Sequence, residues 1–203
     1  MTNKLLQLIA LTALTALAGS LTAQAAPDEA GKLAQPKVLV YIQPVEYTHS
    51  IRLWSPYQDY WYDQGPIVEA EALPKLSANY TDVAMCEGNQ SGKALIWLQP
   101  KMFYNPQVQM FYAEVLANAY TGVGKLIGTY KGESKVHGSL NLQASRWISS
   151  AYAQAIDDML QKLQADTGLQ SLLAGEGATA TQPTPCSMVT LLPTHTIRNV
   201  SSF

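Results

Sequence analysis

Charged residues and cysteines are scarce in this chain of 203 residues, and most of the chain lacks long apolar runs. Lys and Arg number 13 against 15 Asp and Glu, which gives a net charge of −2. This balance provides no basic field that would hold nucleic acid, so we expect no nucleic-acid partner. No stretch reaches the ~20 apolar residues that a membrane-spanning helix needs. The sequence therefore predicts no transmembrane segment.

The chain also lacks the residue patterns of common catalytic and metal sites. His49, His137 and His195 are far apart, and none lies at ligand spacing from a cysteine or carboxylate. The Gly-rich stretch 87–98, EGNQSGKALIWL, resembles a phosphate-binding loop, but its glycines are one residue too close and Ala94 replaces the required hydroxyl. No G-x-S-x-G nucleophile motif is present. We predict that the protein is not an enzyme and holds no metal or other cofactor.

The first 25 residues have the composition of a secretory signal peptide. Lys4 precedes an apolar run over residues 5–18, and the small residues of Ala23-Gln24-Ala25 form a cleavage site. We predict export to a bacterial periplasm. A secreted eukaryotic protein is the alternative. No cysteine precedes Cys86, which argues against a lipid anchor at the new N-terminus.

The only two cysteines, Cys86 and Cys186, would lie in an oxidising compartment after export. An even count then favours one disulfide, with two free buried thiols as the alternative. A bridge would tie the Pro-rich C-terminal tail, residues 174–203, to the domain. Upstream of the tail, we assign residues 26–36 to a flexible leader and residues 37–173 to one α/β domain.

Hydrophobic patterns within residues 37–173 predict a mixed sheet with helices on it. Residues 37–45 are rich in β-branched residues and predict a first strand, and two further strands lie within residues 81–103. Residues 108–120 and 125–134 flank a Gly-containing turn and predict a long hairpin. Residues 67–80 predict a helix that Pro74 kinks or ends, and residues 144–168 predict a longer helix ending at Gly168. The fold class is thus α/β (α+β), a single domain with two packed helices.

Residues 46–66 have neither a helical nor a strand period and are predicted to form a long loop or a loop with a short helical turn. This segment is rich in aromatic residues: Tyr47 to Tyr62 hold six of the chain's 18 aromatic residues within 16 positions. Tyr and Trp combine a large apolar area with a polar group, so they can form a contact surface. The alternatives are that the rings cover the core or bind a carbohydrate. The candidate partner-binding residues are Trp54, Tyr57, Tyr60, Trp61 and Tyr62.

Within that set we expect Trp54 to be structural, because it follows the apolar Ile51 and Leu53. Tyr57, Tyr60 and Trp61 are the predicted exposed residues.

The order of elements, from the strand KVLVYI to the late helix with AYAQAIDDMLQKL, resembles periplasmic auxiliary proteins of bacterial envelope systems. These include auxiliary lipoproteins of ABC-type lipid transport and domains like the amino-terminal domain of TolB. The resemblance covers residues 37–163 as a pattern and implies a protein that acts through contacts with other envelope proteins. Together with the aromatic segment, it predicts a non-catalytic binding or assembly module. The competing prediction is a carbohydrate-binding protein or small enzyme of the cell envelope, and homo-oligomer formation stays open.

Overall fold

A computed structural model describes residues 38–88, 90–174 and 184–193 of the chain. Its main sheet has five strands in the order β4-β1-β5-β6-β7. The strands are β1 (Val38–Ile42), β4 (Val83–Met85), β5 (Ala94–Asn105), β6 (Met110–Thr121) and β7 (Leu126–His137). β1 pairs in parallel with β4 and β5, and the β5, β6 and β7 pairings are antiparallel. The predicted mixed α/β domain with a long hairpin is confirmed.

The long hairpin follows from the apolar residues at every second position along one face of β6. Phe111, Ala113, Val115, Ala117 and Ala119 are all buried in the main core, as their shared face predicts. The small alanines allow a helix to lie close to this face. β6 is the inner strand of a three-stranded antiparallel unit, which places its apolar face at the centre of the core.

Helices α2 (Gln64–Asn79) and α3 (Ala144–Ala165) pack on one face of the main sheet. The apolar stripe of α3 is fully buried and includes Ile148, Tyr152, Ile156 and Met159. A Cβ on Gly132 would lie 1.9 Å from the backbone oxygen of Ala155, so a side chain at this position would prevent the contact between α3 and β7.

The disulfide between Cys86 and Cys186 attaches the C-terminal part of the chain to the opposite face of the sheet. The Cα atoms of the two cysteines are 5.5 Å apart, and 100 residues separate them in sequence. A 3₁₀ helix, Pro185–Leu191, lies over this end of the sheet, where Leu39, Leu95 and Cys186 form a second buried cluster. The tail from Thr184 to Pro193 is therefore part of the folded domain.

The predicted loop over residues 46–66 is wrong apart from its short helical turn. The segment contains a short helix α1 (Val45–Thr48), the strands β2 (Ile51–Ser55) and β3 (Gln58–Tyr62), and the first turn of α2. The two strands form a separate antiparallel sheet. Each strand has only five residues, on either side of the turn Pro56-Tyr57. Over so short a length, the alternation of inward and outward side chains cannot be recognised among the many aromatic residues.

The structure excludes one of the two alternatives predicted for Pro74 and corrects the helix end predicted at Gly168. Pro74 does not end α2, because the carbonyl group that it leaves unpaired belongs to the exposed Ala70 and can be hydrated. Gly168 is not a helix C-cap: the carboxylate of Asp166 accepts a hydrogen bond from Leu169 N at 3.0 Å and begins a new helix, α4 (Thr167–Ala174). Residues 188–191 belong to the 3₁₀ helix, which a proline opens.

No helix in the described ranges is both long and apolar enough to cross a membrane. The predicted signal peptide, residues 1–25, and leader, residues 26–36, lie outside the described residues. Most of the tail, residues 174–203, does so as well.

Candidate functional site: the β2–β3 hairpin

The register of the β2–β3 hairpin determines which aromatic residues within residues 47–62 face the domain and which face away from it. Ile51 pairs with Tyr62 and Leu53 with Tyr60, so these four side chains share one face, here called the inner hairpin face. Arg52 pairs with Trp61 and Trp54 with Asp59, and these four residues form the outer hairpin face. Because side chains alternate along a strand, neighbouring aromatic residues point in opposite directions.

The inner hairpin face packs against the core of the domain. Leu53 is 3% exposed and Tyr62 is 8% exposed, and both belong to the main core cluster. The rings of Tyr60 and Tyr62 lie side by side with centroids 6.2 Å apart. These residues hold the β2–β3 hairpin against the domain.

The outer hairpin face exposes two large indole rings. Trp54 is 53% exposed and Trp61 is 61% exposed, and the two tryptophans occupy diagonal positions across the strand pair. On the opposite diagonal, Arg52 forms an ion pair with Asp59 at 2.9 Å, and its guanidinium carbon lies 6.0 Å from the Trp61 ring centre. At the tip of the hairpin, Tyr57 is 98% exposed. The face is thus an alternating arrangement of two aromatic and two charged side chains.

The structure corrects the expected roles of three residues. Tyr62, predicted at the contact surface, is buried, and Tyr60 is only partly exposed because both lie on the inner hairpin face. Trp54, predicted to be structural, is one of the exposed rings. Sequence reasoning missed Arg52, and the signal that would have found it is its cross-strand position opposite Trp61.

A chain of buried polar side chains connects the base of the hairpin to the helices. The hydroxyl oxygens of Tyr62 and Tyr152 are 3.3 Å apart, and the Tyr152 hydroxyl donates to Gln64 Oε1 at 2.5 Å. Gln64 Nε2 in turn donates to Glu46 Oε2 at 3.0 Å. We call these four residues the buried relay. It joins β3, α3, α2 and α1 in the core beneath the inner hairpin face.

Burial changes the acid–base behaviour of the buried relay. Burial raises the pKa of Glu46 from its ordinary value near 4.5 to about 7, although the hydrogen bond from Gln64 opposes the change. The pKa values of Tyr62 and Tyr152 are raised mainly by burial, so both phenols are neutral at physiological pH. Beside the relay, the Tyr47 hydroxyl donates to Glu69 at 2.5 Å.

The other described parts of the chain contain weaker candidates for a functional site. The described residues contain no group of three or more His, Cys, Asp or Glu side chains placed to hold a metal ion. A shallow surface depression of about 500 Å³ is lined by residues 77–83, and one of about 280 Å³ lies near Gly168. On the open face of the main sheet, Phe103 and Tyr112 form a ring pair with centroids 5.9 Å apart.

Comparisons with known proteins identify no family. No family model matches the chain, and no curated protein matches it. Among solved structures, the chain is similar to one from Caulobacter crescentus CB15 that is described as a "putative lipoprotein", with 14% sequence identity and a TM-score of 0.33. The match covers 55% of this chain and 84% of the other. A similarity at this TM-score identifies neither a family nor a function. The resemblance to auxiliary lipoproteins and TolB domains stays a prediction.

Proposed function

We propose that this protein is a non-catalytic binding or assembly module of the bacterial periplasm, and that it contacts an envelope protein through the outer hairpin face. The observation that carries the proposal is the joint exposure of Trp54 and Trp61 on a ribbon that is packed on the domain by its other face. A disulfide and a predicted signal peptide support an oxidising compartment outside the cytoplasm.

The composition of the outer hairpin face favours a protein partner. Trp, Tyr and Arg are the residues that dominate binding energy at protein interfaces, and this face with its tip combines Trp54, Trp61, Tyr57 and Arg52. A short ribbon held by its inner face also loses little conformational entropy on binding, because its backbone is already ordered. The Arg52–Asp59 pair supplies hydrogen-bonding groups that would give the contact its orientation.

A carbohydrate ligand is a second candidate, and a specific feature favours it. Sugar rings stack on aromatic faces, and here the two tryptophans alternate with charged groups that can bind sugar hydroxyls. A stacked sugar would use the ring faces of Trp54 and Trp61, whereas a protein partner would also cover the Tyr57 tip.

Binding by matched variants tests the proposal. The immobilised mature protein is used to capture partners from an envelope extract, and each captured protein is then purified and titrated. We expect the double variant Trp54→Ala/Trp61→Ala to weaken binding by roughly 30-fold or more, as the loss of interface hot spots does. Phe103→Ala removes a comparably exposed ring, 45% exposed, from the main sheet and should change affinity less than twofold.

Two outcomes would contradict the proposal of a protein contact. If the double variant binds the purified partner as well as the unchanged protein, the outer hairpin face is not the contact surface. If the unchanged protein binds envelope polysaccharide in a sedimentation assay, binds no purified envelope protein, and loses polysaccharide binding in the double variant, the carbohydrate function replaces the proposed one.

A further inference from the structure

One end of the main sheet is formed by two stretches of chain that lie side by side. Residues 103–112 contain the β5–β6 turn, and residues 134–147 lead from the end of β7 into α3. The backbone joins the two stretches, because the N–H group of Gly138 donates to the carbonyl oxygen of Gln109 at 2.8 Å. We call the surface of these two stretches the basic end of the domain.

The charged residues of the basic end all have the same sign. The two stretches contain Lys135, His137 and Arg146 and no Asp or Glu. Among the described residues, Lys135 and Arg146 each contact an aromatic ring, and neither pairs with a carboxylate. The positive field is local, since the whole chain has a net charge of −2.

The carboxylates that come next along the strands are already neutralised. Glu114 of β6 pairs with Lys101 and Lys131, each at 2.9 Å, and Lys131 also pairs with Glu133. This group contains two lysines and two glutamates, so it does not cancel the charge of the basic end.

Three large apolar side chains are exposed at the basic end. Leu142 is fully exposed, Val108 is 51% exposed and Phe103 is 45% exposed. Val108 lies in the β5–β6 turn and Leu142 in the connection before α3, so both are carried by chain that extends beyond the strands. Single exposed apolar residues are ordinary, whereas a group of them on one surface indicates a contact site.

Aromatic rings paired with cations flank these apolar residues. On the open face of the sheet, the Tyr112 ring centre lies 5.8 Å from Lys135 Nζ. On the helix face, the Trp147 ring lies against Gly138, whose added Cβ would be 2.6 Å from the ring, and its centre is 5.6 Å from the guanidinium carbon of Arg146. Tyr, Trp, Lys and Arg combine an apolar body with a polar end, which suits the boundary between a bilayer and water.

We propose that the basic end is a docking surface for an anionic lipid bilayer. The exposed apolar side chains enter the headgroup region, and Lys135 and Arg146 contact lipid phosphates. Exposed apolar residues alone would suit a protein partner as well. A surface with cations and no carboxylate complements the negative surface of a bilayer, and this charge decides between the two occupants. The contact goes beyond the proposed function, because it uses a different surface from the outer hairpin face.

The attraction should be weak, reversible and sensitive to salt. One Lys or Arg near an anionic surface increases binding about fivefold, so the two cations together contribute roughly 20-fold. Counter-ions screen this attraction, and binding should therefore decrease as the salt concentration rises. The exposed apolar side chains add an attraction that salt does not remove.

Vesicle sedimentation with the full mature protein tests the docking surface. One set of vesicles contains phosphatidylglycerol and phosphatidylethanolamine, and the neutral set contains phosphatidylcholine alone. We expect the protein to bind the anionic vesicles at least about tenfold more tightly than the neutral ones. Raising the salt concentration from about 0.05 M to about 0.5 M should remove most of this difference.

Two charge variants at opposite ends of the sheet locate the contact. Lys135→Gln/Arg146→Gln should weaken binding to the anionic vesicles by roughly 20-fold. Lys93→Gln/Lys125→Gln removes the same charge at positions that precede β5 and β7, at the other end of the sheet. Because a 12-residue strand is longer than the Debye length, this control should change binding less than about twofold.

A second pair of variants tests the apolar contribution. Leu142→Asp and Val123→Asp each place one negative charge at an exposed apolar position, so neither should disturb folding. Leu142→Asp should weaken vesicle binding at least about tenfold, because it puts a charge into the headgroup region. Val123→Asp in the β6–β7 turn should bind like the unchanged protein.

Several results would overturn the docking surface. These are equal binding to anionic and neutral vesicles, binding to neither, and equal effects of the two charge variants. If Trp54→Ala/Trp61→Ala removes vesicle binding and the basic-end variants do not, the outer hairpin face contacts the bilayer instead. If no vesicles bind but Leu142→Asp abolishes binding of a purified envelope protein, the basic end is a protein interface. Failure of protein binding at the outer hairpin face leaves the vesicle measurements unaffected.

Discussion

The two faces of the β2–β3 hairpin should respond differently to truncation of neighbouring aromatic side chains. Trp61 and Tyr62 are consecutive in β3, but Trp61 is exposed and Tyr62 is buried. Truncating a fully buried large aromatic residue costs ~3–5 kcal/mol. Trp61→Ala removes a ring that is largely in water already, so we expect a loss of only about 1 kcal/mol in the free energy of unfolding.

Tyr62→Ala should cost at least ~3 kcal/mol, because it leaves a cavity in the core and removes the hydroxyl that donates to Tyr152. Chemical denaturation of the purified mature domain measures both values. For a domain of this size the difference of ~2 kcal/mol corresponds to a shift of roughly 4–8 °C between the two melting temperatures. If Trp61→Ala destabilises the protein as much as Tyr62→Ala does, the outer hairpin face is part of the core and the site assignment is wrong.

The remaining predictions concern the disulfide, the α3–β7 contact and the buried acid. Replacing Cys86 and Cys186 with serine should lower the free energy of unfolding by about 4–5 kcal/mol, the chain-entropy value for a 100-residue loop, and denaturation curves with unchanged midpoints would contradict this. Gly132→Ala should cost ~3 kcal/mol or more because its Cβ meets rigid helix backbone. Gly168→Ala should cost less in the same assay, because its Cβ would meet only the side-chain Oδ1 of Asp166, at 3.1 Å. Burial raises the folded-state pKa of Glu46 to about 7, so its stabilising contribution is complete below pH 4.5 and is lost by pH 7. The free energy of unfolding should therefore decrease by about 3 kcal/mol over this range. Denaturation curves at several pH values measure this decrease, which Glu46→Gln should abolish.

Long, regular patterns made the main sheet and its helices predictable. The twelve-residue strand β6 has apolar residues at every second position from Phe111 to Ala119, and the apolar stripe of α3 extends over several turns, so local pattern and final packing agree. The ends of elements were less predictable because single side chains decide them. Asp166 begins α4 with one hydrogen bond, and the sequence does not show that this residue overrides the C-cap signal of Gly168.

The sequence could identify the segment that contains the candidate site, but it could not show which of its side chains are exposed. Aromatic density pointed to residues 47–62, but whether a ring faces water or the core depends on which strand pairs with which residue. Once Arg52 is paired with Trp61, the register assigns Trp54 to the outside and Tyr62 to the inside. The buried relay was invisible for another reason, since Glu46 and Tyr152 are over a hundred residues apart and meet only in the folded chain.

The most direct test of the outer hairpin face as a contact surface is site-specific photo-crosslinking in the periplasm. A photoreactive phenylalanine analogue is placed at Trp61, at Tyr62 on the inner face, and at Leu142, an exposed apolar position before α3. We expect one specific crosslinked protein partner at position 61 and none at positions 62 and 142. Equal crosslinking at positions 61 and 142, or none at position 61, would contradict it.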